Sequence, residues 1–95
     1  MADKTLTVRI KVTGRVQGVG FRYFSSRLAA KYGIIGAARN EIDGTVTVIA
    51  TGEEAVFNKF LAELAKGPAM GRVDKMERIS IVLSDFDLST FDIVF

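Results

Sequence analysis

This 95-residue sequence predicts an α+β two-layer sandwich, with two helices on one face of an antiparallel sheet. Three observations carry that reading. Apolar residues alternate with period two and then shift to helical spacing, twice along the chain. An Asp43-Gly44 pair stands between two strand-like runs, the signal of a tight hairpin. Each helical segment ends on glycine, Gly33 for the first and Gly67-Pro68 for the second.

Taken in order, Leu6, Val8, Ile10 and Val12 alternate with Thr7, Arg9 and Lys11, as in a half-buried strand. From Phe21 the spacing changes: Phe21, Phe24, Leu28 and Tyr32 share one helical face, with Ala29 beside them. Residues 34–42 read as a second strand, and 45–50 as a third beyond the Asp43-Gly44 turn. Gly52 opens a second helix, whose Phe57, Phe60, Leu61 and Leu64 fall at i, i+3, i+4 and i+7. Residues 73–83 form another β-like region, with Ile79, Ile81 and Leu83 alternating. Phe91, Ile93 and Phe95 alternate once more in a short terminal strand. The order β-α-β-β-α-β plus that strand is the split βαβ, or ferredoxin-like, arrangement. Its two helices cover one sheet face and leave the other more open.

The length fits one domain over residues 1–95, with enough chain to bury a core. With 48% hydrophobic residues and one proline, the chain is not a disordered one. No apolar run approaches the roughly 20 residues of a membrane span, and the opening MADKTL lacks the pattern of a secretory signal. A cytoplasmic protein with no membrane partner is expected. Histidine and cysteine are both absent, which excludes a thiolate nucleophile, a Ser-His-Asp triad and the usual zinc ligands. No calcium-loop pattern occurs either. Chemistry is left to arginine, lysine, carboxylates, amides, hydroxyls and the backbone.

The net charge of +2 conceals an imbalance. Residues 1–40 carry eight basic side chains and one acid; residues 41–95 carry five basic side chains and ten acids. A basic half-chain points to an anionic partner, a phosphate-bearing small molecule or nucleic acid, unless it is only a solvated face.

The stretch GRVQGVGFR, residues 14–22, joins the first strand to the first helix. Glycines there allow successive N–H groups to converge on an anion, and a helix N-terminus adds unpaired donors and partial positive charge. Arg22 falls in the first helical turn, where the dipole disfavours a cation. Its position makes sense if an anion lies between, since a guanidinium grips phosphate oxygens with two parallel bonds. The spacing matches neither a Walker loop nor a dinucleotide fingerprint. GVGFRYF loosely resembles an RNA-binding aromatic element, but Phe21 and Phe24 at helical spacing read as core. Asn40 ends a strand-like run three residues before the turn, where asparagine is ordinary. Its carboxamide can also accept from a water while donating to a phosphoryl oxygen.

GRVQGVGFR, followed by Arg39-Asn40, Asp43-Gly44-Thr45-Val46, Thr51-Gly52 and Gly67-Pro68, resembles the acylphosphatase family over nearly the whole chain. The resemblance implies a ferredoxin-like sandwich and hydrolysis of acyl phosphates to carboxylate and inorganic phosphate, without metal or cofactor. It places the phosphate loop on Arg15, Val16, Gln17, Gly18 and Val19, the phosphate-binding arginine on Arg22, and a water-orienting role on Asn40. It implies a small-molecule acyl phosphate substrate, and no nucleic acid and a monomer are expected; a non-catalytic anion- or nucleic-acid-binding module of the same fold is the alternative. The sequence departs from the family's Gly-Trp-Val-Arg-Asn-like strand in having Ala37, then Ala38, so a large apolar contact is expected to be missing there.

Overall fold

The computed structural model describes residues 5–80 and 91–94. The elements are β1 (Thr5–Arg15), α1 (Phe21–Tyr32), β2 (Ile35–Asn40), β3 (Val46–Glu53), α2 (Glu54–Leu64), β4 (Arg72–Ser80) and β5 (Phe91–Val94). They form one sheet in the order β4-β1-β3-β2-β5. β1 pairs antiparallel with both β3 and β4, and β2 pairs antiparallel with β3. Each helix therefore crosses between two parallel strands that have a third strand inserted between them, the split βαβ expected from the sequence. The terminal strand adds something the sequence did not predict: β5 runs parallel to β2, with Ala38 opposite Ile93. The expected strand residues Ile81, Leu83 and Phe95 lie outside the described residues.

Alternation along the strands decides which face the helices cover. Val8, Ile10 and Val12 stand opposite Ala50, Val48 and Val46, and all six are buried. Onto that face α1 lays Phe21, Leu28 and Ala29, and α2 lays Phe57, Phe60 and Leu64. Burying a side chain such as Phe57 or Phe60 contributes about 1.5–3 kcal/mol each. Ser25 sits within this core because its Oγ donates to the Phe21 carbonyl at 2.8 Å, which satisfies the hydroxyl inside the helix. α1 stops where Ile34 N–H turns back to the Ala29 carbonyl at 2.8 Å. Tyr32 Oη donates to the Glu63 carboxylate, which Lys31 Nζ also reaches at 3.1 Å, joining the ends of the two helices. That hydroxyl, and then Lys31, hold the Glu63 carboxyl below its usual range.

The opposite face carries Arg9, Lys11, Arg39, Thr47, Ile49 and Glu77 around a shallow depression. Ala37 belongs to this face, opposite Ile49, whereas Ala38 is fully buried beneath the helices opposite Val48. The small residue at 37 thus leaves the covered core intact, because its neighbour Ala38 is the one that enters it. No helix among the described residues is long and apolar enough to cross a membrane.

Candidate active site

The site forms at the end of the sheet where β1 becomes α1 and β2 becomes a hairpin. Between β1 and α1 run residues 16–20, and their side chains divide by task. Val16 is buried in the core and Val19 packs against it, which anchors the loop from beneath. Gly18 and Gly20 adopt left-handed backbone conformations, φ 73° and 80°, which a side chain would strain. No N–H of residues 16–20 donates to a backbone carbonyl among the described loop and turn hydrogen bonds. A run of such donors is chemically suited to an anion.

α1 begins without a side-chain cap and without an acid in its first turn. Its N-terminal donors and the positive end of its dipole are therefore not answered by a carboxylate of that turn. Arg22 stands in this turn. Phe21 beside it is 1% exposed, so the ring is a core residue and not an RNA-stacking platform.

Asn40 reaches the same place from β2. It lies opposite Val46, on the helix-covered side of the sheet, at the strand's last position. Its Oδ1 is buried and accepts no hydrogen bond among the described residues. Buried acceptors are nearly always paired, and this atom is chemically suited to take a hydrogen bond from a water or a ligand. A cavity of about 160 Å³ is lined by Val16, Gly18, Gly20, Phe21, Arg22, Tyr23 and Asn40. Of the residues expected from the sequence it gathers Val16, Gly18, Arg22 and Asn40. Arg15, Gln17 and Val19 do not line it.

Gln17 does something the sequence did not signal. Its Nε2 donates to the carbonyls of Glu41 and Thr45, at 2.7 and 2.9 Å. Both of its amide hydrogens therefore tie the loop to the hairpin that carries Asn40. The hairpin is itself closed by Glu41 N–H on the Thr45 carbonyl at 2.8 Å. Asp43 braces the turn by accepting from Thr45 Oγ1 at 2.6 Å and Thr45 N at 3.0 Å. Those two bonds, with Lys11 nearby, depress the Asp43 carboxyl below its ordinary value.

The charge imbalance of the sequence resolves partly into pairs across the two halves. Lys11 meets Asp43 at 3.4 Å, Lys31 meets Glu63 at 3.1 Å, and Arg39 meets Glu41 at 3.1 Å. Exposed pairs of this kind add little stability, but they do reduce the basic half as an uninterrupted anionic-polymer surface. Among the described residues no three metal-binding side chains gather.

The acylphosphatase family model matches residues 8–93. The chain belongs to the acylphosphatase family. An acylphosphatase of Clostridium acetobutylicum is 49% identical over 86 residues, which cover 90% of this chain and 93% of that relative. The crystal structure of an acylphosphatase from Bacillus subtilis superposes with a TM-score of 0.87 at 35% identity, covering 95% of this chain and 99% of that one. A phosphate- and nucleotide-bound structure of full-length HypF also matches, with a TM-score of 0.87 at 26% identity, over all of this chain and 12% of that much longer one. Acylphosphatase membership makes the chain a hydrolase acting on acyl phosphates.

Proposed function

We propose that this acylphosphatase binds the phosphoryl group of its substrate on the backbone amides of Arg15, Val16, Gln17, Gly18 and Val19. Arg22 balances the phosphoryl charge with its planar fork, and Asn40 orients the attacking water. The observation that carries this reading is the buried, unpaired Oδ1 of Asn40, in the same cavity as Gly18, Gly20 and Arg22. On this reading Oδ1 accepts a proton-side contact from the water, leaving an oxygen lone pair for phosphorus, while Nδ2 donates to a phosphoryl oxygen. The water oxygen bonds to phosphorus as the bond from phosphorus to the acyl oxygen breaks. The bond's electrons leave with the carboxylate, and the water's proton passes to a phosphoryl oxygen. Positioning and charge stabilisation suffice for such a transfer, since the carboxylate is already a good leaving group.

The protein acts, on this proposal, as one cytoplasmic monomeric domain over residues 1–95, without cofactor or nucleic acid. The test is release of inorganic phosphate from benzoyl phosphate, with and without EDTA. Turnover is expected to survive the chelator, and inorganic phosphate is expected to inhibit competitively. Activity lost in EDTA and restored by magnesium would overturn the mechanism.

A further inference from the structure

We propose that Tyr23 selects the acyl group, favouring planar apolar acyl phosphates over small ones; this rests on the acylphosphatase reading of the cavity. Among the apolar residues lining it, Val16 and Phe21 are each 1% exposed and have no surface left to offer, while Tyr23 is 63% exposed. The other described helix aromatics, Phe24, Tyr32, Phe57 and Phe60, are buried or packed against the core. Position 23 is thus an aromatic left exposed by the core, among the residues that line the site.

The size of the cavity makes that placement consequential. Pockets that enclose a whole organic ligand run to about 300–1,000 Å³. At about 160 Å³, this one suits the phosphoryl end of a substrate and leaves the acyl group to emerge across the rim. Gly18 and Gly20 offer no side chain on the loop side. Among the described residues lining the cavity, Tyr23 is the one that leaves a large apolar side chain exposed.

The ring is also held in place. Arg27, one helical turn further on, sets its guanidinium 5.8 Å from the ring centroid. A cation over one face restrains the side chain, so less rotamer freedom is lost when an acyl group meets the ring.

The experiment compares kcat and KM for benzoyl phosphate and acetyl phosphate in the parent, Tyr23→Ala and Tyr23→Phe. Aromatic pairing of this kind corresponds to roughly 2- to 12-fold in affinity. Tyr23→Ala is expected to shrink the preference for benzoyl over acetyl phosphate by that factor, through KM for the benzoyl substrate. Tyr23→Phe, which keeps the ring, is expected to keep the parent's preference. An unchanged preference in Tyr23→Ala overturns the proposal, as does an equal loss in Tyr23→Phe. A parent that releases phosphate from neither substrate removes the acylphosphatase reading itself, and this inference with it.

Discussion

The two helices of this fold begin in equivalent places, each just after a strand of the same sheet, and their starts are opposite in design. α2 follows β3 with no residue between them; its cap Glu53 is extended, and Glu54 supplies an acid to the first turn. α1 is separated from β1 by residues 16–20, is preceded by a left-handed glycine and has no acid in its first turn. A carboxylate near a helix N-terminus answers the positive end of the dipole. At α2 the chain provides that carboxylate itself. At α1 the described residues provide loop amides that donate to no backbone carbonyl, Arg22, and an Asn40 oxygen that accepts no hydrogen bond, a start suited to the phosphoryl anion proposed above. One fold therefore contains a sealed helix start and, on the proposed reading, a receptive one, to which the chemistry is assigned.

Substitutions at the receptive start should give the largest effects. Arginines that stabilise transition-state charge in phosphoryl transfer account for about 10³–10⁵ in rate. Arg22→Ala is expected to lose activity on that scale and to weaken inhibition by inorganic phosphate in parallel. Asn40→Ala should behave differently. On the proposed role it removes a contact used mainly in the transition state, and a loss of about 10²–10³ in kcat is expected with phosphate inhibition largely kept. Steady-state kinetics with phosphate as inhibitor separate the two. If both variants lose phosphate affinity equally, Asn40 belongs to the cradle and not to the water.

Much of this contrast is legible in the sequence, and the unreadable part has a common cause. Period-two and helical spacing locate Val8, Ile10 and Val12 on one strand face and Phe57, Phe60 and Leu64 on one helix face, because those patterns are local. The loop residues Gly18 and Gly20 are conspicuous for the same reason. Pairing between distant segments leaves no such trace. Nothing in Phe91–Val94 says that it lies parallel to β2, and nothing at Ala37 and Ala38 says which of them meets the helices until β2 is in register with β3. Gln17 is the sharpest case: its partners are backbone carbonyls 24 and 28 residues away, and a carbonyl has no sequence signature.

That hidden contact allows a smaller test of the receptive start. Gln17→Ala removes both donors that tie the loop to the hairpin, while leaving the glycines, Arg22 and Asn40 in place. Misplacing aligned groups by about 1 Å costs up to roughly 100-fold in rate, and a loss of about 10- to 100-fold in kcat/KM is expected. Gln17→Glu should be no better, since a carboxylate cannot donate to the Glu41 and Thr45 carbonyls. Circular dichroism is expected to show the fold retained in both. A folded Gln17→Ala enzyme at the parent rate would mean that the loop and hairpin hold their spacing without this tie.

The sealed start offers the smallest effect, and it tests the comparison directly. Glu54→Gln removes the first-turn acid from α2 and nothing from the proposed site. A charge so placed is worth about 0.3–1 kcal/mol at low ionic strength and fades as salt screens it. Chemical denaturation should therefore show a loss of that size in dilute buffer, shrinking in salt, with acyl phosphate turnover unchanged. Inorganic phosphate is predicted to do for α1 what Glu54 does for α2. A ligand that binds only the folded state at 100 times its Kd adds about 2.7 kcal/mol of stability. If phosphate binds at α1 as proposed, that increment should be the same in the parent and in Glu54→Gln, and should be small in Arg22→Ala. If phosphate stabilises Glu54→Gln more than the parent, the anion is occupying the start of α2, and the contrast between the two helix starts does not hold.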